Sequence, residues 1–467
     1  MRRPDARPRW AAVLLVLAGC TSVARDGAPA TEAPRPIVVI GAGVAGLSAA
    51  RALHDAGRDV VVLEARDRIG GRTWTAELAG APVDLGAMFI HGTEENPLAA
   101  VCAAFGLRHA GRGFGLGALY DATSGSRWDQ RGFHLMAAMA AFERELPRLA
   151  EALPADASVA DAIELYLEEL ELAGDERRLS SYALHVLLVE LYDAGPSERV
   201  SLRHYGDYVE FEGGDRLLEG GYVGLIEALS EGLDVRLARP VRRIAHDADG
   251  VVVVTDAQEF PASHAIVTVP LGVLQAGAIA FEPPLPAEKL AAIARLEMGT
   301  MEKVVLRFEH AFWREAGSAN LGYIGERPGE FPAFLDFTAS AGAPTLVCLV
   351  GGQSARDMLD RMSDAEIEER ALAVLAEILD EEIPAPLAVA VTRWRDDPFA
   401  RGSYSFMPVG ASPADMRTLG EPVGERLLFA GEATVPEHYG TVHAALMSGL
   451  REARRVAGAA ATLPGLD

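Results

Sequence analysis

The chain has 467 residues, 49% of them hydrophobic and 24% charged, and Asp plus Glu outnumber Lys plus Arg by 67 to 43 for a formal net charge of −24. The balance is that of a globular protein, with enough chain for two or three domains and a large core. So acidic a surface argues against nucleic acid as a partner and draws cations, cationic substrates included. The three cysteines, Cys20, Cys102 and Cys348, are too far apart to form a metal-site motif.

The first 19 residues read as a signal peptide. Arg2, Arg3, Arg7 and Arg9 form a basic n-region, and residues 11–18 form an apolar stretch too short to anchor stably across a bilayer. Leu17-Ala18-Gly19-Cys20 then resembles the lipobox of bacterial lipoproteins. The resemblance implies that Cys20 becomes a lipidated first residue and that the protein is exported and lipid-anchored at a bacterial cell envelope. A plain secretory signal, giving a soluble periplasmic or secreted protein, is the alternative. Residues 20–35 are rich in Ala, Pro and charged residues and read as a tether. No later segment offers a charge-free apolar run long enough to cross a membrane.

Residues 37–40 are a short apolar run suited to a buried parallel strand. Gly41, Gly43 and Gly46 follow in G-x-G-x-x-G spacing, and residues 45–56 read as helix. Gly41 permits the tight turn, Gly43 lets backbone approach a pyrophosphate, and Gly46 lets helix and strand pack closely. A second apolar run, 60–63, ends at Glu64, 18 residues past Gly46. A carboxylate there accepts hydrogen bonds from a ribose. A glycine-rich turn in an ordinary α/β protein is the plain alternative, but strand, helix, strand and acid at these distances favour dinucleotide binding.

After Glu64, Ala65 and Arg66 open a loop that runs to Gly70-Gly71-Arg72-Thr73, with three arginines and bare backbone suited to phosphate. Residues 83–92, with Gly86 and His91, are a small-residue segment suited to a flat ring. Residues 130–195 carry apolar residues at helical spacing and read as a helical block interrupted at Pro147 and Pro154. Strands are predicted at 235–237, 241–245, 251–254, 265–269, 304–308, 331–337, 346–350 and 427–430, with helices at 364–379 and 442–457. Strand–helix architecture thus recurs in three pieces. The division expected is a cofactor domain of residues 36–95, 215–285 and 395–460, interrupted by a substrate domain of 96–214 and 286–394.

Three separated stretches resemble the flavin-containing amine oxidases: the monoamine and polyamine oxidases and the related histone demethylases. They are 37–73; 84–98, with Ile90-His91-Gly92 and Glu95-Asn96-Pro97-Leu98; and 426–453, with Phe429-Ala430-Gly431-Glu432 and Tyr439-Gly440-Thr441-Val442-His443. The Ile-His-Gly and Glu-Asn-Pro-Leu details are most similar to the polyamine oxidases. The resemblance implies an α/β fold: a Rossmann-type FAD-binding domain interrupted by a mixed α+β substrate domain. It implies non-covalent FAD, a small-molecule amine as substrate and O2 as acceptor, with hydride-equivalent transfer to the flavin, an imine hydrolysed to an aldehyde, and hydrogen peroxide as by-product.

By the same resemblance Glu64 holds the adenosine ribose, Gly71 and Arg72 approach the pyrophosphate, and Val241 clamps the adenine through its backbone. Gly431 and Glu432 meet the ribityl-phosphate region, and the Val442 N–H meets the isoalloxazine pyrimidine. Lys303 matches a lysine set near flavin N5 through water. Strand alternation puts it with Val305 and Arg307, opposite Val304, Leu306 and Phe308, on a face that periodicity alone reads as solvated. Trp394 and Tyr404 match the segment supplying one aromatic wall of a substrate cage. Thr441 stands where monoamine oxidases carry the second wall, leaving the cage half open or completed by His438 or Tyr439. His91 matches a histidine near the polyamine oxidase site; a plain loop histidine is the alternative. An L-amino-acid oxidase, which needs an arginine for the substrate carboxylate, and a cation-binding envelope lipoprotein with a vestigial flavin site are the rival functions.

Overall fold

A computed structural model describes residues 35–110, 118–128, 131–316 and 319–466. The segments expected to be a signal peptide and a tether, with Cys20, lie outside the described residues up to residue 34.

The fold is built on a five-stranded, all-parallel sheet. Ile37–Ile40 (β1) lies at its centre, flanked by Val60–Leu63 (β2) and His264–Val267; Asp234–Arg236 and Leu427–Phe429 form the edges. All residues of β1 and β2 are buried, as their unbroken apolar sequence requires of strands covered on both faces. Between them runs the helix Val44–Asp55 (α1), whose alanine-rich face packs on the sheet and on Val442–Ala457. Gly46 is required by contact: a Cβ there would stand 1.9 Å from the Gly41 carbonyl oxygen.

A seven-stranded, mostly antiparallel sheet orders Ala388–Val391, Met301–Arg307, Thr345–Gly351, Ala333–Asp336, Leu321–Ile324, Ala118–Asp121 and Ser126–Trp128. Val304, Leu306 and Cys348 pack with Ile367, Ala371 and Val374 of the helix Asp364–Leu379, while Val305 and Val347 join the main core. Both faces are therefore covered, and every residue of Met301–Arg307 is buried, Lys303 and Arg307 included. The solvated face that alternation alone allows for Lys303 does not exist, because period two reports which residues share a face and not what covers it.

The helical block also differs in detail. Arg131–Ala152 is one helix that continues through Pro147, although a proline in a helix interior costs roughly 3 kcal/mol. Burial of Phe142 and Leu149 on either side of it offsets that cost. The break falls at Pro154 alone, and Ala183–Glu190 winds as a π-helix rather than the α-helix its leucine spacing predicts. Cys102 and Cys348 are both buried and unpaired.

Candidate active site

A cavity of about 900 Å³ runs from the end of β1 to the seven-stranded sheet. Gly41, Gly43, Glu64, Ala65, Arg66, Gly71, Arg72, Gly86, His91, Val241, Lys303, Trp394, Tyr404, Gly431, Glu432 and Val442 all line it. Gly46 does not; it acts one layer back, by letting α1 approach the loop that the cavity touches.

At the β1 end, α1 begins at Gly43 with no side-chain cap, so its first N–H groups face the cavity unclaimed by a side chain. Gly43 has φ −80° and ψ 178°, and a Cβ on it would find no atom closer than 3.9 Å. Neither backbone geometry nor neighbouring protein atoms demand glycine there; what glycine leaves is open space before the start of α1. The buried Glu64 carboxylate accepts the Ala42 N–H at 2.7 Å and the Arg66 N–H at 2.9 Å, and keeps lone pairs for further donors. Arg66 pairs with Asp397 at 2.7 Å. Arg68 turns away from the cavity: its guanidinium lies 4.4 Å from the centre of the Trp74 ring, where burial lowers its pKa to about 10.

Glu432 knots three segments. It accepts Arg72 Nη1 at 2.8 Å, the Ser405 hydroxyl at 2.6 Å and the Gly440 N–H at 2.8 Å. The helix Val442–Ala457 starts beside it, and its Thr441 cap takes the Ala444 N–H, leaving the Val442 N–H at the cavity wall outside the cap.

Lys303 donates from Nζ to the Asp84 carbonyl at 2.8 Å and to the Gly86 carbonyl. Burial pushes its ammonium below the usual lysine range, against the opposing pull of the buried Asp84 carboxylate. Trp394 donates its indole N–H to the Leu85 carbonyl at 3.0 Å. Between them the two side chains hold three successive carbonyls of the segment 84–86. Gly86 is forced by contact, since a Cβ would lie 1.9 Å from the Arg72 carbonyl oxygen.

The far end is aromatic and acidic. Tyr404 donates to the Tyr192 carbonyl at 2.9 Å, and Tyr439 meets Tyr208 edge-on with ring centres 5.8 Å apart. Tyr439 lines the cavity, whereas His438 lies behind it, stacked on Phe211 at 4.9 Å, so of the two candidates it is Tyr439 that faces Tyr404's pocket. His91 lines the wall with Nδ1 3.2 Å from Asp215. Burial alone would raise the Asp215 carboxyl, but the His91 and Gly92 hydrogen bonds outweigh it and hold the pKa below its ordinary value. His443, behind Phe211, is lowered to about 3 by burial and stays neutral.

Sequence reasoning missed Tyr192, Asp193, Tyr205, Tyr208, Phe211, Glu143 and Glu210, all on this wall. They come from the helical block and the loop after it, where no motif stands. The one signal was the density of tyrosines and acids across 192–211. Asp193 lies among Tyr205, Tyr208, Tyr404 and Tyr439, whose hydroxyls all feel its charge, and burial raises its carboxyl to about 7.

An uncapped helix start, an open space at Gly43, a buried Glu64 carboxylate with lone pairs to spare and a long cavity together fit an extended dinucleotide such as FAD. Residues 44–457 match the family model described as flavin containing amine oxidoreductase. Polyamine oxidase 4 of Oryza sativa subsp. japonica is 36% identical over 435 residues, covering 90% of this chain and 88% of the relative. Lysine-specific histone demethylase 2 of Homo sapiens is 32% identical over 95% of this chain, which spans 56% of that longer protein. Among solved structures, wild-type putrescine oxidase bound to putrescine superposes with a TM-score of 0.74 at 25% identity, covering 91% of this chain and 99% of that one. The chain belongs to the flavin-containing amine oxidoreductase family and is an FAD-dependent amine oxidase.

Proposed function

We propose that the amine is a polyamine or diamine, oxidised with O2 as acceptor by non-covalently held FAD. One observation carries this reading: Asp193, a carboxyl on the cavity wall with no ion-pair partner among the described residues, close enough to four tyrosines for their hydroxyls to feel its charge. A monoamine has no use for a second cation site, whereas the distal ammonium of a diamine meets both a carboxylate and aromatic faces there. The polyamine and putrescine oxidases among the relatives favour the same class, and neither rival function. Cys102 and Cys348 are both absent from the cavity wall, which supports non-covalent binding.

The chemistry supplied when FAD is bound is two-electron oxidation of the amine to an imine, with the electrons passed to O2. This chain's residues do the rest. The α1 N–H groups and Glu64 hold the nucleotide end, and the Glu432 knot fixes Arg72 and the 403–405 and 440 segments around the cavity. Lys303, held on the 84 and 86 carbonyls, keeps a proton-bearing nitrogen at the wall. The tyrosines exclude water and suit an amine entering neutral at one end and charged at the other. We assign the nucleotide to the part built on the parallel sheet and the amine to the part built on the seven-stranded sheet. Asp193→Asn tests the substrate class: kcat/KM for spermine or putrescine should fall about tenfold or more, that for benzylamine less than about twofold. An equal fall for both would refute it.

We also propose that the protein is a lipid-anchored envelope enzyme, on the strength of the lipobox-like segment ending at Cys20. Cys20→Ser should leave an unprocessed precursor that no longer partitions with membranes, and unchanged processing would overturn the proposal.

A further inference from the structure

Glu302 stands beside Lys303 but belongs to no motif and does not reach the cavity wall. Its side chain is fully buried on the opposite face of the strand Met301–Arg307. A carboxylate in that position is costly unless its oxygens are bonded, and all of its bonds go to one turn. Oε2 accepts the Thr392 hydroxyl at 2.6 Å and the Trp394 N–H at 3.0 Å, and Oε1 accepts the Arg395 N–H at 3.1 Å.

That turn is tied to Lys303 itself. The Thr392 N–H donates to the Lys303 carbonyl at 3.0 Å. The Thr392 hydroxyl, its proton committed to Glu302, accepts the Lys303 N–H at 2.8 Å. The same turn carries Trp394, whose indole N–H reaches the Leu85 carbonyl between the two carbonyls that Lys303 holds. One carboxylate thus fixes the backbone of both residues that grip the segment 84–86, and that segment has no slack against Arg72.

We infer that Glu302 is a positioning residue for amine oxidation, clamping the 392–395 turn to its strand so that Lys303 and Trp394 hold the cavity wall at 84–86 in a single arrangement. The inference rests on the role proposed for Lys303. Glu302→Gln keeps the shape but sets an NH2 group against one N–H of the turn. Thr392→Val removes the hydroxyl link, and Thr392→Ser keeps it. Each is prepared as holoenzyme, alone and combined with Lys303→Met, and read by FAD content, the visible spectrum of the bound flavin, the rates of anaerobic reduction and of reoxidation by O2, and the amine KM, per bound flavin.

Glu302→Gln and Thr392→Val should each slow about tenfold the same half-reaction that Lys303→Met slows, with KM within about twofold, and should perturb the flavin spectrum, while Thr392→Ser stays near wild type. In the Lys303→Met background the same changes should slow the rate by clearly less than about tenfold, because one of the two residues they act through is gone and only Trp394 remains. Should Glu302→Gln not accumulate folded, the Thr392 pair decides alone. Effects that multiply with Lys303→Met, or rates per bound flavin that do not change, overturn the inference while leaving Lys303's role standing. A Lys303→Met enzyme with wild-type rates overturns that role and the inference with it.

Discussion

Gly43→Val separates what the fold needs from what the cofactor needs. Gly43 has an extended backbone open to any residue, and a Cβ meets only the Gly70 carbonyl oxygen and Gly71 Cα, both at 3.9 Å. Restricting the unfolded chain favours the variant by roughly 0.4–1 kcal/mol, and valine's poor fit at a helix N-cap opposes it by a similar amount. Apoprotein stability should therefore stay within about 1 kcal/mol of wild type. The branched side chain instead fills the space before the uncapped start of α1. FAD affinity should fall at least about 100-fold, equivalent to ~2.7 kcal/mol. Gly46→Val is the control: its Cβ would sit 1.9 Å from the Gly41 carbonyl oxygen, so the fold itself should fail. Urea unfolding of the apoproteins and FAD titration followed by flavin fluorescence measure the two quantities. A Gly43→Val protein that purifies with stoichiometric FAD, or that unfolds as readily as Gly46→Val, would refute the reasoning.

Lys303→Met should keep FAD yet slow anaerobic reduction by amine or reoxidation by O2 about tenfold, a transition-state effect of ~1.4 kcal/mol; two unchanged rate constants would remove Lys303 from the site. The Asp193 carboxyl, raised from 3.8 to about 7, gives stability that is present at low pH and lost as pH rises through that window. Asp193→Asn should therefore be the more stable protein at pH 8, by at most about 4 kcal/mol, with the difference vanishing near pH 4. Its kcat/KM deficit for a diamine should shrink as pH falls below about 7, where the wild-type carboxylate becomes protonated; a pH-independent ratio would contradict the assignment.

The half built on the parallel sheet was legible because its signals are local. A strand, three glycines, a helix and an acid at fixed spacing describe one βαβ unit, and the predicted strand at 37–40 and helix at 442–457 stand in the structure. The aromatic and acidic wall was not legible in that way. Asp193, Tyr205, Tyr208 and Phe211 meet Tyr404 and Tyr439 only through long-range packing, and the π-helix that leads towards Asp193 breaks the period a sequence reading relies on. Lys303 shows the same limit from the other side: alternation placed it correctly beside Val305 and Arg307, but only the second sheet face, covered by the rest of the chain, decides that it is buried. Glu302 carried no signal at all, because its partners lie about ninety residues away.

The central claim, FAD-dependent oxidation of a di- or polyamine, is tested most directly by anaerobic titration of the purified protein. The protein should be yellow as isolated, and spermine or putrescine should bleach the visible flavin band, with colour returning on admission of O2 and hydrogen peroxide appearing in step. A colourless protein that takes up no FAD, or a flavoprotein whose band no amine bleaches, would contradict the account.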